Sequence, residues 1–157
     1  MSTREDLLRA AADYLGRRPN ATQDEIASAG GVSPATLHRH FAGRSALMTA
    51  LEELAIAEMS EVLAAVRLHE GPADEALRRL GTACEPISPY LALLYSQSQE
   101  DPDTCIEVWG EIDSTITELF LRGQQDGVFR PELPAAWLTE TFYSLVAATD
   151  WPLRAGR

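Results

Sequence analysis

The chain has 157 residues, 45% of them hydrophobic and 24% charged, with a formal net charge of −11. This composition excludes a disordered chain, and the lack of any apolar run near the roughly 18 residues that cross a bilayer excludes a membrane-spanning one. The two cysteines, Cys84 and Cys105, have neither CxxC nor metal-type spacing. We therefore expect small buried thiols in a reducing cytosol.

Charge is distributed unevenly along the chain. Residues 1–50 hold six arginines against five acidic residues, a net charge of +1, whereas residues 51–157 hold seven arginines against nineteen acidic residues, a net charge of −12. This asymmetry is typical of a DNA-binding head joined to a body that does not bind DNA. The head is only mildly basic, so composition alone does not predict DNA binding.

Two amphipathic helices are predicted at the start of the chain. The first spans residues 2–16, where apolar residues recur at helical spacing: Leu7, Leu8, Ala11, Ala12 and Leu15. The second begins at Thr22, because a threonine followed three residues later by Glu25 forms a capping box that satisfies the free N–H groups of a helix start. Gly30 and Gly31 end this second helix.

A third, shorter helix follows directly. Ser33 is an N-cap and Pro34 takes the first helical position, so this helix spans about residues 34–40, with Leu37 and Phe41 on its buried side. Two short helices joined by a glycine turn are the layout of a helix-turn-helix, which points to sequence-specific DNA binding.

The rest of the chain predicts longer helices and shows no strand pattern. A fourth helix runs from Arg44 or Ser45 to His69, and Pro and Gly breakers separate the segments beyond it. These further helices are expected at about residues 72–83, 88–98, 102–125 and 134–149. The predicted fold class is all-α, with a three-helix head over residues 1–46 and an antiparallel helical bundle over residues 47–157.

Four strings within residues 4–51 occur in a characteristic order and spacing: LLRAAADYL, T-x-D-E-I-A-x-x-x-G-V-S, T-L-H-R-H-F and G-R-S-A-L-M-x-A-L. Together they resemble the DNA-binding domain of TetR-type bacterial transcriptional repressors. The later segment FLRGQQDGVFRPELPAAW is similar to a helix-to-helix junction in the ligand domain of such repressors. The resemblance implies a TetR-like fold in which residues 47–157 bind a small-molecule effector and form a homodimer, with a palindromic double-stranded DNA operator as the partner.

The first turn of the third helix supplies the candidate base contacts, since a helix in the major groove reads base edges from its first turn. That turn consists of Ser33, Pro34, Ala35 and Thr36. Ala35 is small enough to contact a thymine methyl group, and Thr36 can contact a base or donate its hydroxyl to a phosphate. Arg39 is long and permanently charged, which suits a phosphate or a guanine edge.

Four further residues are candidate phosphate contacts. Thr22 can place its hydroxyl, or the positive end of its helix, against a phosphate, although it is an N-cap in either case. His38 stands where the family often has a tyrosine that is expected to touch the DNA backbone. His40 is either a phosphate contact or partly packed. Arg44 matches a position where the family carries a basic phosphate clamp.

An aromatic set in the body is compatible with a pocket between helices: Tyr90, Tyr95, Trp109, Phe120, Trp137, Phe142 and Tyr143. We expect most of these aromatics to be ordinary core or dimer interface, and it is the resemblance that implies a ligand pocket. Tyr95 and Trp109 are the candidate lining residues.

Dimerisation is expected through the segments 102–125 and 134–149, paired across a twofold axis into a four-helix bundle. The sequence ends at Arg157, where family members usually continue into another helix. Either these two segments dimerise alone or the chain is abbreviated.

Two functions remain open at this point. The first is a ligand-responsive repressor, and the alternative is a helical ligand-binding or protein-interaction protein whose DNA-binding head is weak or inactive. An enzyme is not expected, because the sequence contains no nucleophile elbow, glycine-rich phosphate loop or HExxH motif. His38 and His40 lie two residues apart on different faces of a helix, so we expect no metal site, and we expect no cofactor and no membrane association.

Overall fold

The structure, a computed structural model, describes residues 3–93 and 106–154. All regular secondary structure within these residues is helical, which confirms the all-α prediction. The helices are α1 (Arg4–Arg17), α2 (Gln23–Ala29), α3 (Pro34–His40), α4 (Arg44–Val66), α5 (Ala73–Cys84), a short 3-10 turn (Glu85–Ile87), α6 (described over residues 88–93), α7 (Ile106–Gln125) and α8 (Ala135–Arg154).

The chain divides into two compact units, Met1–Ala55 and Ile56–Arg157, and α4 contributes residues to both. We call them the head and the body. The division describes packing rather than DNA binding, so the DNA-binding domain over residues 1–46 and the ligand-binding and dimerisation domain over residues 47–157 remain predictions.

The head is built around one apolar core to which all four of its helices contribute. The largest side chains in that core are almost completely buried: Leu7 and Leu15 of α1, Ile26 of α2, Leu37 of α3, Phe41 after it, and Leu47 and Leu51 of α4. Full burial of one such side chain contributes about 1.5–3 kcal/mol, so this core fixes the orientation of α3 within the head.

Local capping explains where α1 and α2 begin. Each follows a capping box, in which a threonine hydroxyl accepts the N–H three residues on and the carboxylate at that position accepts the threonine N–H. The pairs are Thr3 with Asp6 and Thr22 with Glu25. These reciprocal bonds satisfy N–H groups that a helix start otherwise leaves free, so each start is determined by a four-residue sequence.

In the body, α7 and α8 form an antiparallel pair, and two polar contacts show which residues of the two helices lie opposite each other. The hydroxyls of Thr117 and Thr139 lie 2.9 Å apart, and the Tyr143 hydroxyl donates to Asp113 at 2.6 Å. The contact residue on α7 moves forward by four, from Asp113 to Thr117, while the contact residue on α8 moves back by four, from Tyr143 to Thr139, as in an antiparallel pair. Burial, together with the Asp113 carboxylate, raises the pKa of Tyr143 and keeps its hydroxyl a donor.

The junction between α7 and α8 requires glycine at Gly123. A Cβ atom built there would lie 2.2 Å from the Phe129 ring and 3.0 Å from the Cβ of Ala73. The N–H groups of Val128 and Phe129 both donate to the Gly123 carbonyl, at 2.8 Å and 2.9 Å. The chain thus folds back over Gly123 and brings α5, α7 and Phe129 together.

The end of α4 is held by two arginines from other helices. Arg79 of α5 donates to the carbonyls of Val66, Arg67 and Glu70, and Arg122 of α7 donates to those of Leu68, His69 and Gly71. The last carbonyls of a helix have no intrahelical partner, and Arg79 supplies one for Val66, the last residue of α4. The other five bonds hold the turn over residues 67–71 that follows the helix.

The predicted end of this helix at His69 was wrong, since α4 ends at Val66. Arg67 turns into the left-handed region with φ of 50°, and residues beyond it form a turn. In contrast, α8 runs on to Arg154, five residues beyond the predicted end. Over the described residues, no helix combines the length and apolar character needed to span a membrane.

Candidate nucleic-acid interface

The turn between α2 and α3 sets the geometry of the candidate interface. Gly31 has a φ of 68°, a left-handed conformation that favours glycine, and its N–H donates to the Ser28 carbonyl. The Val32 N–H then donates to the Ala27 carbonyl at 3.0 Å. The chain consequently reverses within a few residues and starts α3 beside α2.

One side of α3 is buried and the other faces solvent. Leu37 is almost completely buried, as is Phe41 directly after the helix. The opposite side consists of residues that are exposed or half-buried, and all of them were predicted from the sequence as DNA contacts: Ser33, Pro34, Ala35, Thr36, His38, Arg39 and His40. These residues make up the solvent-accessible part of α3 and its cap, which we call the α3 surface.

The first turn of α3 is ordered by its own side chains. The Ser33 hydroxyl accepts the Thr36 N–H at 3.2 Å, and the Ser33 and Thr36 hydroxyls lie 2.9 Å apart. Pro34 occupies the first helical turn, where its missing N–H leaves no unsatisfied donor. Ala35 presents only a methyl group to solvent, which fits its predicted contact with a thymine methyl.

Arg39 and His38 are the available donors of the α3 surface. Both are exposed, and among the residues that the structure describes neither forms a hydrogen bond or an ion pair. His40 is half-buried, and its ring centroid lies 6.2 Å from that of Phe41. Both alternatives for His40 thus remain compatible with its position.

Thr22 is engaged in its capping box. Its N–H and its hydroxyl donate to the Glu25 carboxylate at 2.8 Å and 2.9 Å. These two hydrogen bonds from Thr22 lower the pKa of Glu25, with a smaller contribution from the charge of Arg18. The hydroxyl of Thr22 would have to exchange Glu25 for a phosphate oxygen, so its predicted DNA contact stays a prediction.

Arg44 has a structural partner that the sequence did not reveal. Its guanidinium donates to the carbonyl of Ala21 at 2.7 Å and to the carbonyl of Pro19. Two of its five N–H donors therefore anchor the loop between α1 and α2, and three remain for a phosphate. The predicted phosphate clamp stays a prediction, and Arg44 also stabilises the head.

Three of the five acidic residues of α1 and α2 form ion pairs with arginines. Ion pairs within or next to α1 join Arg9 to Glu5, Arg17 to Asp13 and Arg18 to Glu25. The arginine of the α3 surface is not neutralised in this way. These pairs leave the net charge of residues 1–50 at +1, but they leave the charge of Arg39 exposed on α3.

Sequence reasoning missed one cation close to this surface. The Arg4 guanidinium lies over the Phe41 ring, 5.0 Å from its centroid. Arg4 and Phe41 are far apart in the sequence, and no local sequence pattern predicts a contact between them.

Tyr95 and Trp109 are the two candidates for the ligand pocket among the aromatics of the body. Trp109 lies on α7 and is half-buried, whereas Tyr95 lies outside the described residues. Three other aromatics of the set belong to the core of the body: Tyr90, Phe120 and Phe142. Core packing thus accounts for part of the aromatic set, and the lining role of Tyr95 and Trp109 stays a prediction.

Comparison with known proteins finds close relatives, although no protein-family model matches the chain. The HTH-type transcriptional regulator NfxB of Pseudomonas aeruginosa is 35% identical over 156 residues, covering 98% of this chain and 83% of that protein. The HTH-type transcriptional repressor LfrR of Mycolicibacterium smegmatis is 29% identical over 147 residues, covering 93% of this chain and 76% of that protein. The crystal structure of LfrR, a TetR-like regulator, in complex with proflavine matches with a TM-score of 0.72 and 26% identity, over 98% of this chain and 85% of that one.

The helical fold, the α3 surface and these relatives define a helix-turn-helix transcriptional regulator. More particularly, the chain belongs to the TetR family of transcriptional regulators, which confirms the family resemblance of residues 4–51.

Proposed function

We propose that this regulator is a ligand-responsive repressor that binds a palindromic DNA operator as a homodimer and releases it when a small molecule binds the body. The observation that carries DNA binding is the α3 surface, which is polar, exposed and oriented by a buried apolar side. The kinship with LfrR, described as a repressor, supports repression.

On this proposal the α3 surface enters the major groove. Ser33, Pro34, Ala35 and Thr36 face base edges, because they form the first turn of the helix. The remaining contacts go to phosphates, or for Arg39 to a guanine edge: Thr22, His38, Arg39, His40 and Arg44. The regulator acts in the cytoplasm, where its operator lies.

Homodimerisation is supported by the outer sides of α7 and α8. Trp137 and Leu145 on α8 are 54% and 63% exposed, and Leu121 on α7 is 44% exposed. Leu121 and Trp137 lie away from the side that carries the core residues Ile116 and Phe142, and Leu145 lies at the edge of that side. Large apolar side chains left in water favour a twofold interface that covers them.

The effector is proposed to be a planar aromatic cation. Proflavine is bound by LfrR in its crystal structure, and residues 51–157 of this chain carry a net charge of −12. Trp109 offers an aromatic face for stacking. A cation of this shape is thus the first probe to use, with stabilisation of the protein in a thermal shift assay as the expected result.

Release follows as a shift in populations. The helix α4 contributes residues to both units. At its start, Arg44 donates to a carbonyl of the loop before α2. At its end, Arg79 and Arg122 donate to carbonyls of the turn that follows the helix. A ligand that prefers one conformation of the body also favours one position of α4. Two heads must lie about 34–36 Å apart to meet successive major grooves, so a ligand that changes this spacing releases DNA.

The experiment is a gel shift with DNA from upstream of the coding region of this protein. We expect binding that survives nonspecific competitor and falls steeply with salt. Substitutions at Ala35 should change which sequence is preferred, while affinity for nonspecific DNA stays the same. Failure to bind any duplex, in a protein that is folded and dimeric, would favour the alternative of an inactive head.

A further inference from the structure

Arg4, the first residue of α1, lies at the end of α3. Its guanidinium is stacked over the ring of Phe41 at 5.0 Å, and Phe41 is the residue that directly follows α3. The Phe41 side chain is buried in the head core, while Arg4 is exposed. The core therefore provides a fixed aromatic platform, and the cation on it faces solvent.

The carboxylates next to Arg4 in the chain are committed to other partners. Glu5 forms an ion pair with Arg9 at 2.8 Å. Asp6 accepts the N–H of Thr3 at 2.8 Å in the α1 capping box, and these hydrogen bonds from Thr3 lower the pKa of Asp6. Arg4 itself forms no hydrogen bond or ion pair with any residue in the described part of the chain. Its positive charge is thus not neutralised.

Stacking on Phe41 also orders the Arg4 side chain. A planar guanidinium that lies over a ring keeps the N–H donors along its edges free, and these edges match the oxygens of a phosphate. Stacking reduces the conformational entropy that an extended arginine would lose on binding. Phe41 further links Arg4 to His40, whose ring centroid lies 6.2 Å from that of Phe41.

We propose that Arg4 is a further phosphate-binding residue of the DNA interface, positioned by Phe41 beside the end of α3. The proposal rests on the proposed DNA binding of the α3 surface. It extends the interface from the helix-turn-helix to the start of α1, and it gives the buried ring of Phe41 a role in orienting a contact as well as in packing.

The test compares Arg4→Ala with Arg9→Ala in the full chain, using fluorescence anisotropy of the upstream duplex and of a scrambled duplex over a series of salt concentrations. Both variants remove one positive charge from α1, but Arg9 is paired with Glu5. Arg4→Ala should weaken binding to both duplexes several-fold and reduce the slope of log K against log salt by about 1. Arg9→Ala should leave the slope unchanged, and Arg4→Lys should retain most of it.

Equal slopes for Arg4→Ala and the unmodified protein would overturn the proposal. The same holds if Arg4→Ala lowers the melting temperature yet leaves the slope unchanged, because Arg4 would then be structural only. These results are distinguishable from a failure of the proposed function, in which the unmodified protein binds neither duplex.

Discussion

The surface around α3 in the head and the end of α4 in the body differ in how their arginines are bound. In the head, Arg4 and Arg39 face solvent with no acidic partner in the described residues, and Arg4 rests on an aromatic ring. In the body, Arg79 and Arg122 bind backbone carbonyls at the end of α4, and Arg78 pairs with Asp74 at 2.7 Å. Arg4 and Arg39 thus leave their charge exposed, whereas Arg79 and Arg122 are bound within the fold, as Arg44 of the head also is. Net charge per unit does not distinguish these roles, but the partners of each arginine do.

The strongest expected effect is at Gly123 in the body. Gly123→Ala places a methyl group 2.2 Å from the Phe129 ring, and we expect a loss of roughly 1–3 kcal/mol in the free energy of unfolding from overpacking. Gly110→Ala is the matched control on the same helix, since a Cβ there meets nothing within 4 Å. Chemical denaturation measures both. Equal effects of the two substitutions would contradict the close approach at Gly123.

The next effect concerns the clamp at the end of α4. Arg122→Met removes three hydrogen bonds to the carbonyls of Leu68, His69 and Gly71, and we expect about 2 kcal/mol of destabilisation, since hydrogen bonds to charged groups contribute about 1.5–3 kcal/mol. Arg130→Met, which breaks only an exposed pair with Glu132, should change stability by less than about 1 kcal/mol. Amide hydrogen exchange should also quicken at residues 62–71 in Arg122→Met, and unchanged exchange there would argue against a clamp.

Arg44 should contribute both to the stability of the head and to DNA binding. Arg44→Ala is expected to lower the melting temperature, because the carbonyls of Pro19 and Ala21 lose their donors, and to weaken binding to every DNA sequence. Thermal denaturation and anisotropy measure the two effects separately. A variant with a lower melting temperature and full DNA affinity would reduce Arg44 to a structural residue.

Caps and periodic apolar faces could be predicted from the sequence because their causes are local. Thr22 and Glu25 lie three residues apart, as do Ser33 and Thr36, so the starts of α2 and α3 follow from a few neighbouring side chains. The apolar spacing in α3 likewise assigned Leu37 to the core and left the α3 surface to solvent.

Contacts between distant parts of the chain could not be predicted in this way. Arg44 bonds carbonyls more than 20 residues earlier, and Arg122 bonds carbonyls more than 50 residues earlier. That second contact holds the turn after Val66, where the sequence pattern predicts that α4 continues. The stacking of Arg4 on Phe41 is tertiary in the same sense, and so escaped a prediction made from spacing.

The smallest effect is the contribution of Glu25 in the head to the pH dependence of stability. The pKa of Glu25 is lowered below its usual value of 4.5 by hydrogen bonds from Thr22. A lowered pKa in the folded state stabilises the fold above the unfolded value, and this contribution disappears as the pH falls through the folded value. Glu25→Gln should therefore flatten the acid limb of a plot of melting temperature against pH below about 4.5. An unaltered acid limb would mean that the capping box does not contribute.

The central claim is that the exposed polar side of α3 binds DNA. Its most direct test is the affinity of Arg39→Ala for the upstream duplex, measured by anisotropy beside the control Arg78→Ala in the body. The account predicts that Arg39→Ala loses about 1–3 kcal/mol of binding free energy with no change in melting temperature, while Arg78→Ala binds like the unmodified protein. Full affinity in Arg39→Ala would contradict the account.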